Sequence, residues 1–206
     1  MERSPILVGV CGGTASGKTS LCTKIYEALQ INCTLIQMDS FYKGLAPEKL
    51  EHVDEYNFDH PDALDFEDIR RTISTLMRRE PADVPLYDFT THSRLSETNR
   101  LEPNNLILYE GIYALYDKDI CDRMDLKIFV QTEDDVRLSR RLLRDTKERG
   151  RSIEGVLSQY FKFVKPSFDE YIRPTMKFAD IIVPHGAHNQ VAIDLIVMNL
   201  KLMINT

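Results

Sequence analysis

Residues 12–19 read Gly-Gly-Thr-Ala-Ser-Gly-Lys-Thr, a GxxxxGK[ST] phosphate-binding loop. An apolar run from Ile6 to Cys11 precedes it, and Leu21, Ile25 and Leu29 follow at helical spacing. Strand, glycine loop and helix in that order belong to an α/β sheet whose ligand sits at the carboxyl ends of the strands. Glycines let backbone N–H groups turn inward around a polyphosphate, and the helix N-terminus adds its positive end. Lys18 places a charge on the β/γ-phosphates, and the Thr19 hydroxyl suits Mg²⁺. Gly12, Gly13, Thr14, Ala15, Ser16, Gly17, Lys18, Thr19 and Ser20 are therefore the expected ATP-binding stretch. Neither NKxD nor DxxG, the strings a GTPase needs, occurs in the chain. Kinases and other ATP-using enzymes remain.

The rest of the chain repeats the strand–helix alternation. Strands are expected at Cys33–Met38, Leu106–Tyr109, Leu126–Val130 and Asp180–Val183. Helices are expected after the Asp65 N-cap, from about Glu133, between about Ile153 and Tyr171, and over Val191–Met203. Residues 43 to 64 carry no clear period. The alternation predicts a P-loop kinase-type parallel sheet covered by helices on both faces. One stretch breaks it, residues 84 to 101, which read as a β-ribbon insertion. With 206 residues the chain is expected to be one domain, 1–206.

Charge and composition narrow the partners. A net charge of −6 argues against a general nucleic-acid or anionic-membrane binder. No apolar run is long enough to span a membrane, and no signal-peptide pattern is seen, so a cytoplasmic protein is expected. The sequon at Asn32 should then stay unmodified, and Cys11, Cys22, Cys33 and Cys121 read as free thiols.

Three further features suggest chemistry. Asp39 ends the second expected strand, where a carboxylate can orient an acceptor hydroxyl and take its proton; capping the next turn is the plainer use. Glu110 ends the buried run Leu106-Ile107-Leu108-Tyr109 and is a candidate Mg²⁺ ligand, direct or through water. Residues 137–151, RLSRRLLRDTKERGR, carry a net charge of +5, which leaves −11 on the remainder. Arg137, Arg141 and Arg144 share one helical face. Few acids are adjacent to pair them, so the run suits a lid, about 144–152, that closes over phosphates.

The loop GGTASGKT, DSFY at 39–42, NFDHPDALD from Asn57, YDFTTHSR from Tyr87, EGI at Glu110, RRLLRDTKERGR from Arg140 and QY at Gln159 together resemble the uridine kinase (uridine–cytidine kinase) family over nearly the whole chain. The resemblance implies ATP- and Mg²⁺-dependent phosphorylation of the 5′-hydroxyl of uridine and cytidine to UMP and CMP, in pyrimidine salvage. It implies Asp39 as the catalytic carboxylate alongside Lys18, and Asp59 on the ribose hydroxyls. It implies Tyr87 and His92 on the pyrimidine edge and Phe89 packed on the base. Arg141 and Gln159 match nucleoside-side residues. Arg144, Arg149 and Arg151 match lid arginines near the phosphates, Arg151 being grouped with the substrate-binding set. Thr19 and Glu110 are the implied metal residues. A homotetramer inhibited by UTP or CTP is also implied.

Two positions depart from the family pattern. Met38 stands where Gln is frequent. Residues 184–189 read PHGAHN where relatives often read PRGADN, so the adenine-side contact falls on His188. Two rival readings stay open: a P-loop kinase for a different alcohol, such as a phosphorylated sugar or pantothenate, and a non-catalytic nucleotide-sensing subunit.

Overall fold

The computed structural model describes residues 4–29, 33–45 and 53–205. Parts of the expected aperiodic stretch 43–64, and Asn32 of the sequon, lie outside the described residues. The elements that build the site are β1 (Ile6–Cys11), α1 (Lys18–Leu29), β2 (Cys33–Gln37), α2 (Phe66–Met77), β3 (Ala82–Asp88), β4 (Ser93–Leu101) and β5 (Leu106–Gly111). A short α3 (Lys118–Cys121) follows, then β6 (Leu126–Gln131), α4 (Asp134–Lys147), α5 (Ile153–Gln159), β7 (Ile181–Pro184) and α6 (Gln190–Asn205).

The main sheet is parallel, in the order β2-β5-β1-β6-β7. Its central strands are apolar on both faces because helices cover both. Leu7, Ile107, Tyr109 and Phe129 meet Ile69, Ile73 and Leu76 of α2 on one side. Val8, Val10, Leu108 and Ile128 meet Leu21 and Ile25 of α1 and Ile193, Ile196 and Leu200 of α6 on the other. The register pairs Cys11 with Gly111 and Gln37 with Glu110. Three strands therefore end level, so Gly12 and Asp39, just past β1 and β2, and Glu110, near the end of β5, share one edge. The ribbon β3–β4 is antiparallel and forms a separate two-stranded sheet, as the broken rhythm predicts.

Two expected elements differ. The second strand stops at Gln37, and Met38–Phe41 form a 3₁₀ turn that carries Asp39. The helix expected to Tyr171 is α-helical over Ile153–Gln159 and again over the single turn Lys165–Ser167, which π-turns at Tyr160–Val164 and Phe168–Ile172 flank. Pro166 explains this. It has no N–H for residue 162 and its ring crowds that carbonyl, so the helix widens around it. No helix of the described residues is long and apolar enough to cross a membrane.

Candidate active site

The P-loop is closed by its own backbone and backed by side chains from other segments. Gly17 takes φ +95°, a conformation that glycine adopts freely, and Ala15 is held at φ 56°. A Cβ on Gly13 would collide with the Arg137 guanidinium and the Phe168 ring. Thr132, past the end of β6, donates its hydroxyl to the Ser16 carbonyl at 3.0 Å.

Two adjoining cavities open at this edge. The first, the ring cavity, is walled by Tyr42, Phe58, Tyr87, Phe89 and His92, with Thr14, Asp59, Ile112, Arg141, Arg151 and Gln159 around them. The second, the loop cavity, is lined by Ala15, Gly17, Thr19, Ser20, Glu110, Arg140 and His188. Lys18, Asp39, Phe89, Arg144 and Arg149 line both. Gly12, Gly13 and Ser16 line neither; they form the buried turn beneath. All other site residues expected from sequence border one cavity or both.

The ring cavity is built by aromatic contact. Tyr42 packs edge-on to Phe58 and Phe89, and Tyr87 meets Phe89 at 5.1 Å between centroids. His92 stacks on Phe58 at 4.7 Å, and its backbone is held in the left-handed region at φ 52°. Among the described residues the Tyr87 hydroxyl is buried without a hydrogen-bond partner, and burial pushes its pKa up to about 12. It is a donor that a ligand would satisfy. Burial raises the Asp59 carboxyl, against the pull of Arg141, and burial together with Arg151 lowers the His92 imidazole.

At the loop cavity, Thr19 donates to Glu110 Oε1 at 3.0 Å, while Glu110 Oε2 is buried with no hydrogen-bond partner among the described residues. Burial raises the Glu110 carboxyl; Lys18 opposes the shift. An orphaned buried carboxylate oxygen beside a hydroxyl, at a polyphosphate loop, is a donor set that fits a hard dication.

The arginine run divides into separate roles. Arg137 is no lid residue: it is 2% exposed, lies under Gly13, stacks on Phe168 at 4.0 Å and donates to Asp134 at 2.6 Å. Arg141 donates to the Thr14 hydroxyl at 3.0 Å and to Gln159 at 2.9 Å; Arg151 shares that Gln159 oxygen at 2.9 Å. Arg149 lies 5.6 Å from the Phe89 centroid, so the loop after α4 and the turn of the ribbon meet over the cavities. The expectation that the run lacks acids to pair with is corrected. Asp145, fully buried, pairs with Arg141, Arg144, Arg149 and Arg151. One acid, Asp145, with arginines at i−4, i−1, i+4 and i+6 was the available signal.

Sequence reasoning also missed Tyr42, Phe58 and Arg94. Arg94 of β4 donates to the carbonyls of Tyr42 (2.8 Å) and Phe41 (3.1 Å) and pairs with Asp65 and Asp68. It ties the ribbon to the turn that carries Asp39. Met38 points into the core, packed on Gly111, and its sulfur accepts the Tyr113 N–H at 3.4 Å.

A sequence profile described as the Phosphoribulokinase / Uridine kinase family matches residues 7–192. The chain belongs to that family. It is 51% identical over 200 residues to uridine kinase-like protein 5 of Arabidopsis thaliana, covering 97% of this chain and 43% of that protein. It is 51% identical over 201 residues to uridine-cytidine kinase B of Dictyostelium discoideum, covering 97% of this chain and 83% of that one. The chain thus spans less than half the length of the Arabidopsis relatives it matches. Among solved structures, phosphoribulokinase from Rhodobacter spheroides superposes with a TM-score of 0.66 at 14% identity, over 89% of this chain and 71% of the other. That likeness concerns the family's fold.

Proposed function

We propose that this chain is a uridine/cytidine kinase that transfers the γ-phosphoryl group of ATP to the nucleoside 5′-hydroxyl, giving UMP and CMP for pyrimidine salvage. The observation that carries the reading is the shared border of the two cavities. A ring-lined cavity with an unpartnered Tyr87 hydroxyl and a phosphate loop meet at Lys18 and Asp39.

In this reading the pyrimidine sits among Tyr42, Tyr87 and Phe89, with its polar edge toward Tyr87 and His92. A neutral imidazole can donate or accept, which suits both O4 of uracil and N4 of cytosine. Asp59 takes the ribose hydroxyls, beside Arg141 and Gln159. Asp39 faces both cavities, where it orients the 5′-hydroxyl and accepts its proton as the bond to phosphorus forms. Lys18 and the P-loop N–H groups hold the β- and γ-phosphates, and His188 lies on the adenine side. Arg144, Arg149 and Arg151, in a lid over 144–152, stabilise the charge on the transferring group. Thr19 and Glu110 would hold Mg²⁺, which when bound draws charge from the phosphate oxygens.

The chain works as one domain with a ribbon insertion, in the cytoplasm, as a homotetramer. UTP and CTP act as feedback inhibitors, since continuous cavities can take a pyrimidine and a triphosphate in one molecule. A phosphorylated sugar is the second reading, favoured by the arginines bordering the ring cavity. A coupled ADP-release assay with Mg²⁺–ATP tests the choice against uridine, cytidine, thymidine, adenosine, ribulose 5-phosphate and pantothenate. Turnover confined to uridine and cytidine is expected. Turnover on ribulose 5-phosphate alone would replace the nucleoside, and ATP binding without any turnover would make the chain a nucleotide sensor.

A further inference from the structure

We infer that Asp145 is a positioning residue that sets the arginines of both cavities from a single buried carboxylate. It lines neither cavity and is 0% exposed, so it acts only through its neighbours. Its two oxygens divide the work. Oδ1 takes Arg144 Nε at 2.8 Å and Arg149 Nη1 at 3.5 Å, the two arginines that border the loop cavity as well as the ring cavity. Oδ2 faces Arg141 Nε at 3.6 Å and Arg151 Nη1 at 3.7 Å, which border the ring cavity alone.

The physical case rests on electrostatic cost. Four guanidiniums crowded together repel one another, and a buried carboxylate is stable only when paired. Each side therefore needs the other. The backbone adds a second tie, since the Arg151 N–H donates to the Asp145 carbonyl at 3.0 Å and closes the loop after α4. Among the described residues Oδ2 makes no hydrogen bond, and neither does Arg141 Nε. The Oδ1 side is the tight half and the Oδ2 side the loose half. The carboxylate thus fixes Arg144 firmly, holds Arg149 more loosely at 3.5 Å, and leaves the ring-cavity pair free to shorten when a ligand enters. Transition-state stabilisation depends on donors already aimed at the developing charge, so loosening them should lower turnover more than binding.

The inference rests on the kinase reading for its effect on rate, but its structural claim does not. The first measurement is the arginine Nε–H NMR spectrum of the full chain without substrate. Arg144 Nε–H is expected to be resolved and slow to exchange in the wild type, and averaged with solvent in Asp145→Asn. A wild type with no ordered Arg144 signal would overturn the proposal without any variant, which covers the case of a variant that fails to fold. An unchanged spectrum in Asp145→Asn would overturn it as well.

The second measurement is steady-state kinetics. Asp145→Asn should lower kcat by about 10²-fold, within the range for a lost preorganised donor, with KM for ATP and nucleoside inside about threefold. Binding of inorganic tripolyphosphate should be equal or tighter, because a negative charge has gone. A kcat within about threefold of wild type, or tripolyphosphate binding lost in proportion to kcat, would sink the positioning role. Wild-type protein that turns over no nucleoside while the NMR signals behave as expected would strike the kinase reading and leave Asp145 as the organiser of the arginines.

Discussion

The phosphate loop and the arginine run both present positive charge to the same space, yet they are built in opposite ways. The loop uses backbone N–H groups and one lysine, and its shape follows from residues 12–19, closed by bonds within the segment such as Ser16 N–H to Gly13 O at 3.2 Å. The arginine side uses long flexible side chains, which Asp145 gathers within the run and Gln159 and Thr14 hold from two other segments. The ribbon resembles the arginine side in this respect, since Arg94 anchors it to carbonyls some fifty residues earlier. The contrast teaches that phosphate binding here is a local property and that selection of the acceptor is a long-range one.

Asp39 stands at the boundary, so its loss should separate the two halves most sharply. Asp39→Asn keeps the shape and removes the base. A fall in kcat of about 10²–10⁴ is expected, as for loss of general base catalysis, with ATP binding by calorimetry unchanged. Near-normal turnover would remove Asp39 from the chemistry.

Arg94→Met tests the long-range half. It leaves the Tyr42 carbonyl without its side-chain donor and the Phe41 carbonyl with the Asp65 N–H alone, and among the described residues Asp68 keeps only Arg71 as an ion-pair partner. Losing hydrogen bonds from a charged group costs about 1.5–3 kcal/mol. Nucleoside KM should rise about tenfold or more and ATP KM little, since 1.4 kcal/mol is tenfold in an equilibrium. Equal rises for both substrates would show that the ribbon is not a separate acceptor element.

The histidine of the ribbon gives a pH test. Burial, aided by Arg151, lowers the His92 pKa from 6.5, so the folded protein favours the neutral ring. A lowered base binds fewer protons folded than unfolded. Its contribution to stability is therefore complete above 6.5 and is lost as pH falls toward the depressed value. The same proton should spoil recognition of the pyrimidine edge. kcat/KM for uridine is expected to be flat above pH 6.5 and to fall below it, and His92→Gln should remove that acid limb. An identical limb in the variant would assign it elsewhere.

How much was legible follows the same division. Gly12 to Thr19 could be read whole, because local chemistry makes the loop and the flanking periods make its strand and helix. Glu110 and Asp39 were readable because strand ends in a parallel sheet share an edge. Arg137 was misread because helical spacing gives the face of a residue and not what covers it; Phe168 and Gly13 arrive from elsewhere in the chain. Asp145 was lost in the net charge of the run because charge tallies ignore burial. Tyr42 and Phe58 sat inside quoted motifs, but only the fold turns their rings toward Tyr87 and Phe89.

The smallest effect concerns the tie that reaches the P-loop from outside. The Thr132 hydroxyl lies 3.0 Å from the Ser16 carbonyl and 2.9 Å from the Gln131 carbonyl, and its one proton cannot serve both fully. Thr132→Val keeps the shape and removes the donor. The cost should be about 1 kcal/mol, a typical net hydrogen bond, seen as a fall of about 2–4 °C in Tm for a chain of this size. ATP KM should change less than about threefold, well under the tenfold that 1.4 kcal/mol would bring. The loop keeps its own closure, with Ser16 N–H on Gly13 O and Leu21 N–H on Gly17 O at 2.9 Å. A large rise in ATP KM with nucleoside KM unmoved would mean that the loop, too, is shaped by distant contacts. The difference between the two halves of the site would then be one of degree.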